Sequence, residues 1–168
     1  MSDQKIVRRW FSVWDFEKEE AWLNAMAQTG WLLDHVGFCT YRFVPCEPGA
    51  YAVRLEMHPN DPDYLQLMQD TGAEYVGRVF QWAYFRKKVA DGAFDLFSDL
   101  DSRIAHLDRI ASSLAMIGAA NLVIGLTNTF SSPHLGWINL LCANVLMYGL
   151  GRIHGKRETL KAKRRLTE

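Results

Sequence analysis

What this chain lacks narrows its chemistry before any motif is sought. It has three cysteines, Cys39, Cys46 and Cys142, at spacings that match no metal-ligand pattern. The histidines (His35, His58, His106, His134, His154) are scattered without pairing, so neither a metal nor another cofactor is expected. No glycine-rich phosphate loop occurs, and the serines lack the flanking glycines of a nucleophile elbow. Asp95, Asp99, Asp101 and Asp108 lack the glycine and closing glutamate of a calcium loop. No residue is therefore nominated as catalytic, and a non-enzymatic protein is expected. Met1–Arg9 is polar with no apolar segment behind it, which argues against a signal peptide, and unpaired thiols suit a reducing compartment.

The largest absence is of charge. No Asp, Glu, Lys or Arg falls between Arg109 and Arg152, a stretch long enough for two bilayer crossings. As helices, residues 110–130 would extend about 32 Å and residues 135–151 about 26 Å. A buried helical hairpin in a soluble core is the competing reading, since Asn121, Asn128, Asn139 and Asn144 are costly in lipid without partners. Gly118, Asn121, Gly125 and Asn128 share one stripe, and Gly136, Asn139 and Ala143 form another. Small residues there allow close approach and asparagines offer bonds between the helices, which favours the membrane.

Charge returns unevenly. Arg152–Glu168 holds seven basic and two acidic residues, leaving the rest of this formally neutral chain at −5. The turn at residues 131–134 has no Lys or Arg, while Arg103 and Arg109 precede the stretch and the basic tail follows it. The positive-inside rule then places both termini in the cytoplasm, on an inner or cytoplasmic membrane. A basic tail directly after a span reads as a contact with anionic lipid. The net-acidic main domain makes a poor nucleic-acid binder, and none is expected as a partner.

Ahead of the stretch, residues 1–97 read as one soluble domain. Ile6–Trp14 has strand composition, and Asp15 caps a helix carrying Trp22, Leu23, Met26 and Ala27 at helical spacing, closed by Gly30. Glu17, Glu19 and Glu20 read as its solvated first turn. A strand bent near Gly37 covers Trp31–Val44, and Tyr51–Met57 is the third. Pro59 to Pro62 then open a second helix bearing Tyr64, Leu65 and Met68, ended by Gly72, before a last strand over Glu74–Lys88. Trp22, Leu23, Met26, Thr29 and Gly30 reappear as Tyr64, Leu65, Met68, Thr71 and Gly72, and Phe38 and Phe43 as Phe80 and Phe85. Two strand–helix–strand repeats predict an α+β, ferredoxin-like βαββαβ sandwich, one antiparallel sheet with both helices on one face. A juxtamembrane amphipathic helix (residues 98–109, opened by a capping box at Ser98), spans at 110–130 and 135–151, and a tail at 152–168 complete the chain.

In such a sheet Val53 and Leu55 face the helices. The open face then holds Arg8, Trp10, Ser12, Trp14, Arg54, Glu56, Arg78, Trp82 and Tyr84, with Arg42 beside them. Trp10, Arg42, Arg54, Trp82 and Tyr84 are nominated as partner-binding residues, because arginine and aromatic side chains dominate binding energy at contacts. Shielding by long side chains, or packing on a second copy as a homo-oligomer, would explain the same face.

The runs WDFEKEEAWLNAMAQTGWLL, YRF–P–Y–RLE, YLQLMQDTGAEYVG, W–YFRKK and FSDLDSRI together resemble the bacterial domain-of-unknown-function family 2812, over most of Trp14–Arg109. The chain departs at Ala73, where the family tends to repeat a Gly-Trp pair. The resemblance implies a cytoplasmic domain followed by membrane helices, often encoded beside PadR-like transcription regulators, with no assigned catalytic residues. It favours a membrane-anchored sensing or adaptor module acting on a regulator or transporter. A structural accessory subunit of a membrane complex, and a small enzyme using the open sheet face, are the alternatives.

Overall fold

The first helix forms where Phe16, Glu19, Leu23 and Ala27 fall on one buried stripe. The computed structural model describes residues 3–97 and 99–167, in two compact units, Met1–Leu96 and Phe97–Glu168. The first is α+β. Its elements are β1 (Lys5–Arg8), α1 (Phe16–Gln28), β2 (Trp31–Gly37), β3 (Thr40–Pro45), β4 (Tyr51–Met57), α2 (Pro62–Asp70), β5 (Glu74–Val79) and β6 (Trp82–Lys88).

The expected single sheet is replaced by two three-stranded sheets, ordered β1-β3-β2 and β4-β6-β5. Each of the long strands expected over Trp31–Val44 and Glu74–Lys88 is a hairpin. Gly37 pairs with Thr40 across Phe38 and Cys39, and Val79 pairs with Trp82 across Phe80 and Gln81. The unit is therefore strand–helix–strand–strand twice, each half holding its last strand antiparallel between the other two. The first strand is also shorter than its composition implies. Its partner β3 begins at Thr40, so after the Arg9 N–H meets the Cys39 carbonyl at 3.1 Å no ladder remains, and Val13–Asp15 coils into a 3-10 turn.

The halves share local devices. Thr29 and Thr71 each donate a hydroxyl bond to the carbonyl three residues back, and Gly30 and Gly72 follow at φ 87 and 82. Both β2 and β5 carry a bulge, between Leu33 and His35 and between Tyr75 and Gly77. β2 and β5 run side by side, close enough that a Cβ on Gly77 would lie 3.1 Å from Val36. Phe43 and Phe85 are both fully buried, one against Trp22 of α1 and the other against Tyr64 of α2. Since Tyr84, the neighbour of Phe85, meets α1, the two helices take opposite faces of the second sheet.

At its N-terminus α1 has Asp15 in the cap position without a capping hydrogen bond; its carboxylate holds Lys18 at 2.9 Å. The Asp61 carboxylate does cap α2, accepting from the Asp63 and Tyr64 N–H groups, with Pro62 in the first turn.

The second unit is a pair of long helices, α3 (Leu100–Ser131) and α4 (Pro133–Thr167). Ser98, the expected cap, lies outside the described residues; Asp99 caps α3 in a reciprocal capping box with Ser102. Ile104, Leu107, Ile110, Ala111, Leu114 and Gly118 of α3 and Ala143 and Ile153 of α4 are buried. At Gly125 the Leu140 side chain would lie 2.9 Å from an added Cβ, and at Gly136 the Thr129 backbone nitrogen would lie 2.8 Å away. Among the described residues, Asn121, Asn139 and Asn144 do not bridge the helices as expected. Each donates to the carbonyl four residues back in its own helix, a bond available at every such position without a partner helix. Beyond the apolar region, Arg157 pairs with Asp108 and Arg164 with Asp101, two contacts seven residues apart on each helix. His106 is buried and stacked on Phe97 at 5.0 Å, and burial, with the Arg109 charge nearby, pushes its imidazole down to about 3.

Candidate functional site

The five nominated residues do not share a face. Trp82 and Tyr84 are buried under α1, where Trp82 packs on Phe16 at 5.5 Å. Arg54 pairs in register with Phe85 and so lies on the opposite side of the same sheet. There its Nε donates to the Phe94 carbonyl at 3.0 Å, and its Nη1 lies 3.4 Å from Glu20. Glu56, on the same strand face, is buried and accepts from the Tyr64 hydroxyl. Arg42 is in the other sheet, half-exposed and paired with Asp34 at 2.8 Å. Its face also holds Ile6, its exposed register partner, and exposed His35. Trp10 stands apart, exposed beyond the end of β1.

α1 is what draws the unit together. The Glu19 carboxylate is buried, and its Oε1 accepts the Tyr41 hydroxyl of the first sheet at 2.7 Å and the Tyr84 hydroxyl of the second at 2.6 Å. Burial raises the Glu19 pKa, and the two phenol bonds oppose that shift. Both phenols are pushed up by burial and by the neighbouring carboxylate. One turn on, α1 closes the outer edge of β4. The Asn24 carboxamide accepts from the Val53 N–H at 2.9 Å and donates to the Val53 carbonyl at 2.8 Å, while Glu20 accepts from the Leu55 N–H at 3.2 Å. A free strand edge is thereby occupied by side chains. So Glu19 and Glu20 are not a solvated turn. Glu19 stands four and eight residues before Leu23 and Ala27, and that spacing alone puts it on the core stripe.

The exposed chemistry gathers at the hairpin tips. Phe38 and Phe80 meet edge to face at 5.8 Å, and Trp10 meets Phe38 at 6.0 Å in the same geometry. These rings are 64%, 79% and 67% exposed, so their contacts leave most of each in water. Phe80 holds φ at 53°, a left-handed conformation that glycine or asparagine adopts at far lower cost. Arg8 and Arg9, both exposed, lead into this cluster, and Arg9 stacks over Phe11 and Trp22 at 4.9 and 5.1 Å. In the sequence Trp10 stands out as a surface aromatic, whereas Phe38 and Phe80 stand out only as repeat partners, because without a turn signal the hairpin tips are invisible.

Among the described residues, no group of three or more His, Cys, Asp or Glu side chains is placed to hold a metal. Ala73, where the Gly-Trp pair of the first half is not repeated, is buried with Met68, Ala83, Phe85 and Phe94. No curated protein and no solved structure matches the chain. Residues 15–119 match one family, described as protein of unknown function (DUF2812), and across that span, which runs from the start of α1 into α3, the chain belongs to it.

Proposed function

We propose that the protein is a membrane-anchored, non-enzymatic sensing or adaptor module. The apolar parts of α3 and α4 form a two-span hairpin with both termini in the cytoplasm, and the α+β unit binds a protein partner such as a PadR-like regulator or a transporter. The supporting observation is the surface of α3. It is long and apolar enough to cross a membrane, yet only 28% of its most apolar window is buried, whereas a core helix of a soluble protein would be mostly covered. Exposed Met116, Val123, Leu126 and Phe130 on α3 match exposed Leu135, Trp137, Ile138 and Leu141 on α4. The open side of the first sheet, with Ile6, His35 and Arg42, is the face assigned to the partner.

Topology is tested with Ser132→Cys and Ser2→Cys, each in a background without native cysteines, labelled by an impermeant reagent in intact cells. Reaction at position 132 and not at position 2 is expected. The reverse pattern overturns the orientation, and recovery of the full chain in the soluble fraction without detergent overturns the membrane reading. The second reading, a structural subunit of a membrane complex, is favoured by Asn144, which is exposed on α4 amid apolar side chains. A stoichiometric membrane protein recovered from gently solubilised membranes would support it, and a regulator would support the first.

A further inference from the structure

We infer that the aromatic tip formed by Trp10, Phe38 and Phe80 seats in the headgroup layer of the bilayer that anchors the chain. The inference rests on the membrane-anchored reading above and adds a second contact to it. The side-chain types fit that layer, because aromatic rings with polar neighbours partition to the interface between hydrocarbon and water. Charge fits as well. Arg8 and Arg9 lie at the end of β1 that delivers Trp10 and are exposed. The acids in the segment whose His58 N–H meets the Gln81 carbonyl of the second tip are Asp61 and Asp63, at the start of α2, where the positive end of the helix dipole offsets part of their charge. Basic groups beside an anionic leaflet add to apolar insertion.

Chain length keeps the α+β unit near the bilayer. Only residues 97–109 separate the α+β unit from the uncharged stretch, and α3 starts at Leu100. A helix from there to Arg109 covers about 15 Å, and the few preceding residues add about 10 Å at most. A domain of about 100 residues has a radius of gyration near 13 Å. A unit tethered that closely meets the bilayer at high effective concentration, so a weak contact is populated. Backbone strain points the same way. A bulky aromatic at φ 53° is kept where a smaller residue would be easier to hold, and such outliers gather where a side chain has a task.

The test uses the full chain without native cysteines, carrying a nitroxide at Gln81→Cys beside the tip or at Gln66→Cys on the exposed side of α2. It is reconstituted in vesicles of phosphatidylcholine with or without phosphatidylglycerol. Flotation that survives alkaline carbonate reports the anchor independently of the tip. At position 81 the label is expected to be reached by oxygen and shielded from a water-soluble nickel chelate, more so with phosphatidylglycerol, while position 66 stays open to the chelate. Phe80→Asn suits the left-handed backbone, so the fold should persist, with an unchanged circular dichroism spectrum, and the shielding at 81 should fall severalfold. A position 81 label as open to the chelate as position 66, in chains that still float, overturns the tip contact and leaves the anchor standing. Shielding without oxygen access marks a protein cover and overturns it too. Chains that fail to float overturn both readings.

Discussion

At the scale of single residues, Glu19 governs the α+β unit. It was legible in part: its spacing to Leu23 and Ala27 places it on the buried stripe, although composition alone makes a Glu-rich first turn look solvated. What the sequence cannot announce is that Tyr41 and Tyr84 arrive from different sheets to share one oxygen. The raised pKa has a definite sign. The folded chain keeps a proton that the unfolded chain releases above a carboxyl pKa of 4.5, so ionising Glu19 opposes folding. Its contribution to stability is present below that value and is lost as pH rises through the elevated folded value. Glu19→Gln stays neutral and can still accept a phenol bond. Relative to wild type it should therefore gain stability as pH rises above the carboxyl value of 4.5, seen as a wild-type-minus-mutant difference in urea midpoints that varies with pH. The neighbouring Glu20, also raised by burial, remains in both proteins and cancels in that difference. A difference independent of pH would mean that Glu19 does not titrate there. Glu19→Ala, which strands two buried hydroxyls, should instead destabilise at every pH, by about 1–3 kcal/mol for each lost partner.

Elements show where sequence reading stops. Helices α1 and α2 and their glycine ends were readable because apolar spacing and Gly30 and Gly72 act locally. The hairpins were not. Their tips, Phe38-Cys39 and Phe80-Gln81, contain no Gly, Asn, Asp or Pro, and Cys39 and Phe80 hold positive φ against their own preference. Without a turn signal, two strands read as one long bent strand, and the count of two sheets was lost with it. The edge of β4 was equally hidden, since the strand-like pairing comes from a helix side chain. Asn24→Ala removes both partners of Val53 and should cost about 2–4 kcal/mol, and it should promote aggregation through the bared edge. In the second unit the seam offers a sharper contrast. Gly136→Ala sets a methyl group 2.8 Å from the Thr129 backbone, which has no rotamer to yield, and should cost about 1–3 kcal/mol in detergent-solubilised melts. Gly151→Ala meets nothing within 4 Å and should be neutral or slightly stabilising. Equal effects at the two positions would count against the close helix contact.

The whole molecule joins two kinds of surface in one chain. Met1–Leu96 gathers its apolar side chains around α1 and under α2, with Leu23, Leu33, Phe43, Val53, Leu55 and Phe85 almost wholly enclosed. Phe97–Glu168 does the reverse, burying a narrow seam and exposing large apolar side chains along both helices. A unit whose core closes within about 100 residues has the means to fold alone, because a chain of that length can bury most of the surface its unfolded form exposes. Truncation after Phe97 should therefore yield a soluble fragment with a single cooperative urea transition, while the remaining helices require detergent. Trp22→Ala then checks that the fragment has the native core. Trp22 packs on Phe11, Tyr41 and Phe43 at 5.5, 5.0 and 5.7 Å, so its loss should cost roughly 3–5 kcal/mol. That is a large share of the stability of a domain this size, and the transition midpoint should fall accordingly or vanish. A fragment that is insoluble, or that unfolds without cooperativity, would show that the helical pair completes the α+β fold. A soluble fragment whose transition ignores Trp22→Ala would show that the domain folds without the aromatic packing that joins α1 to the first sheet.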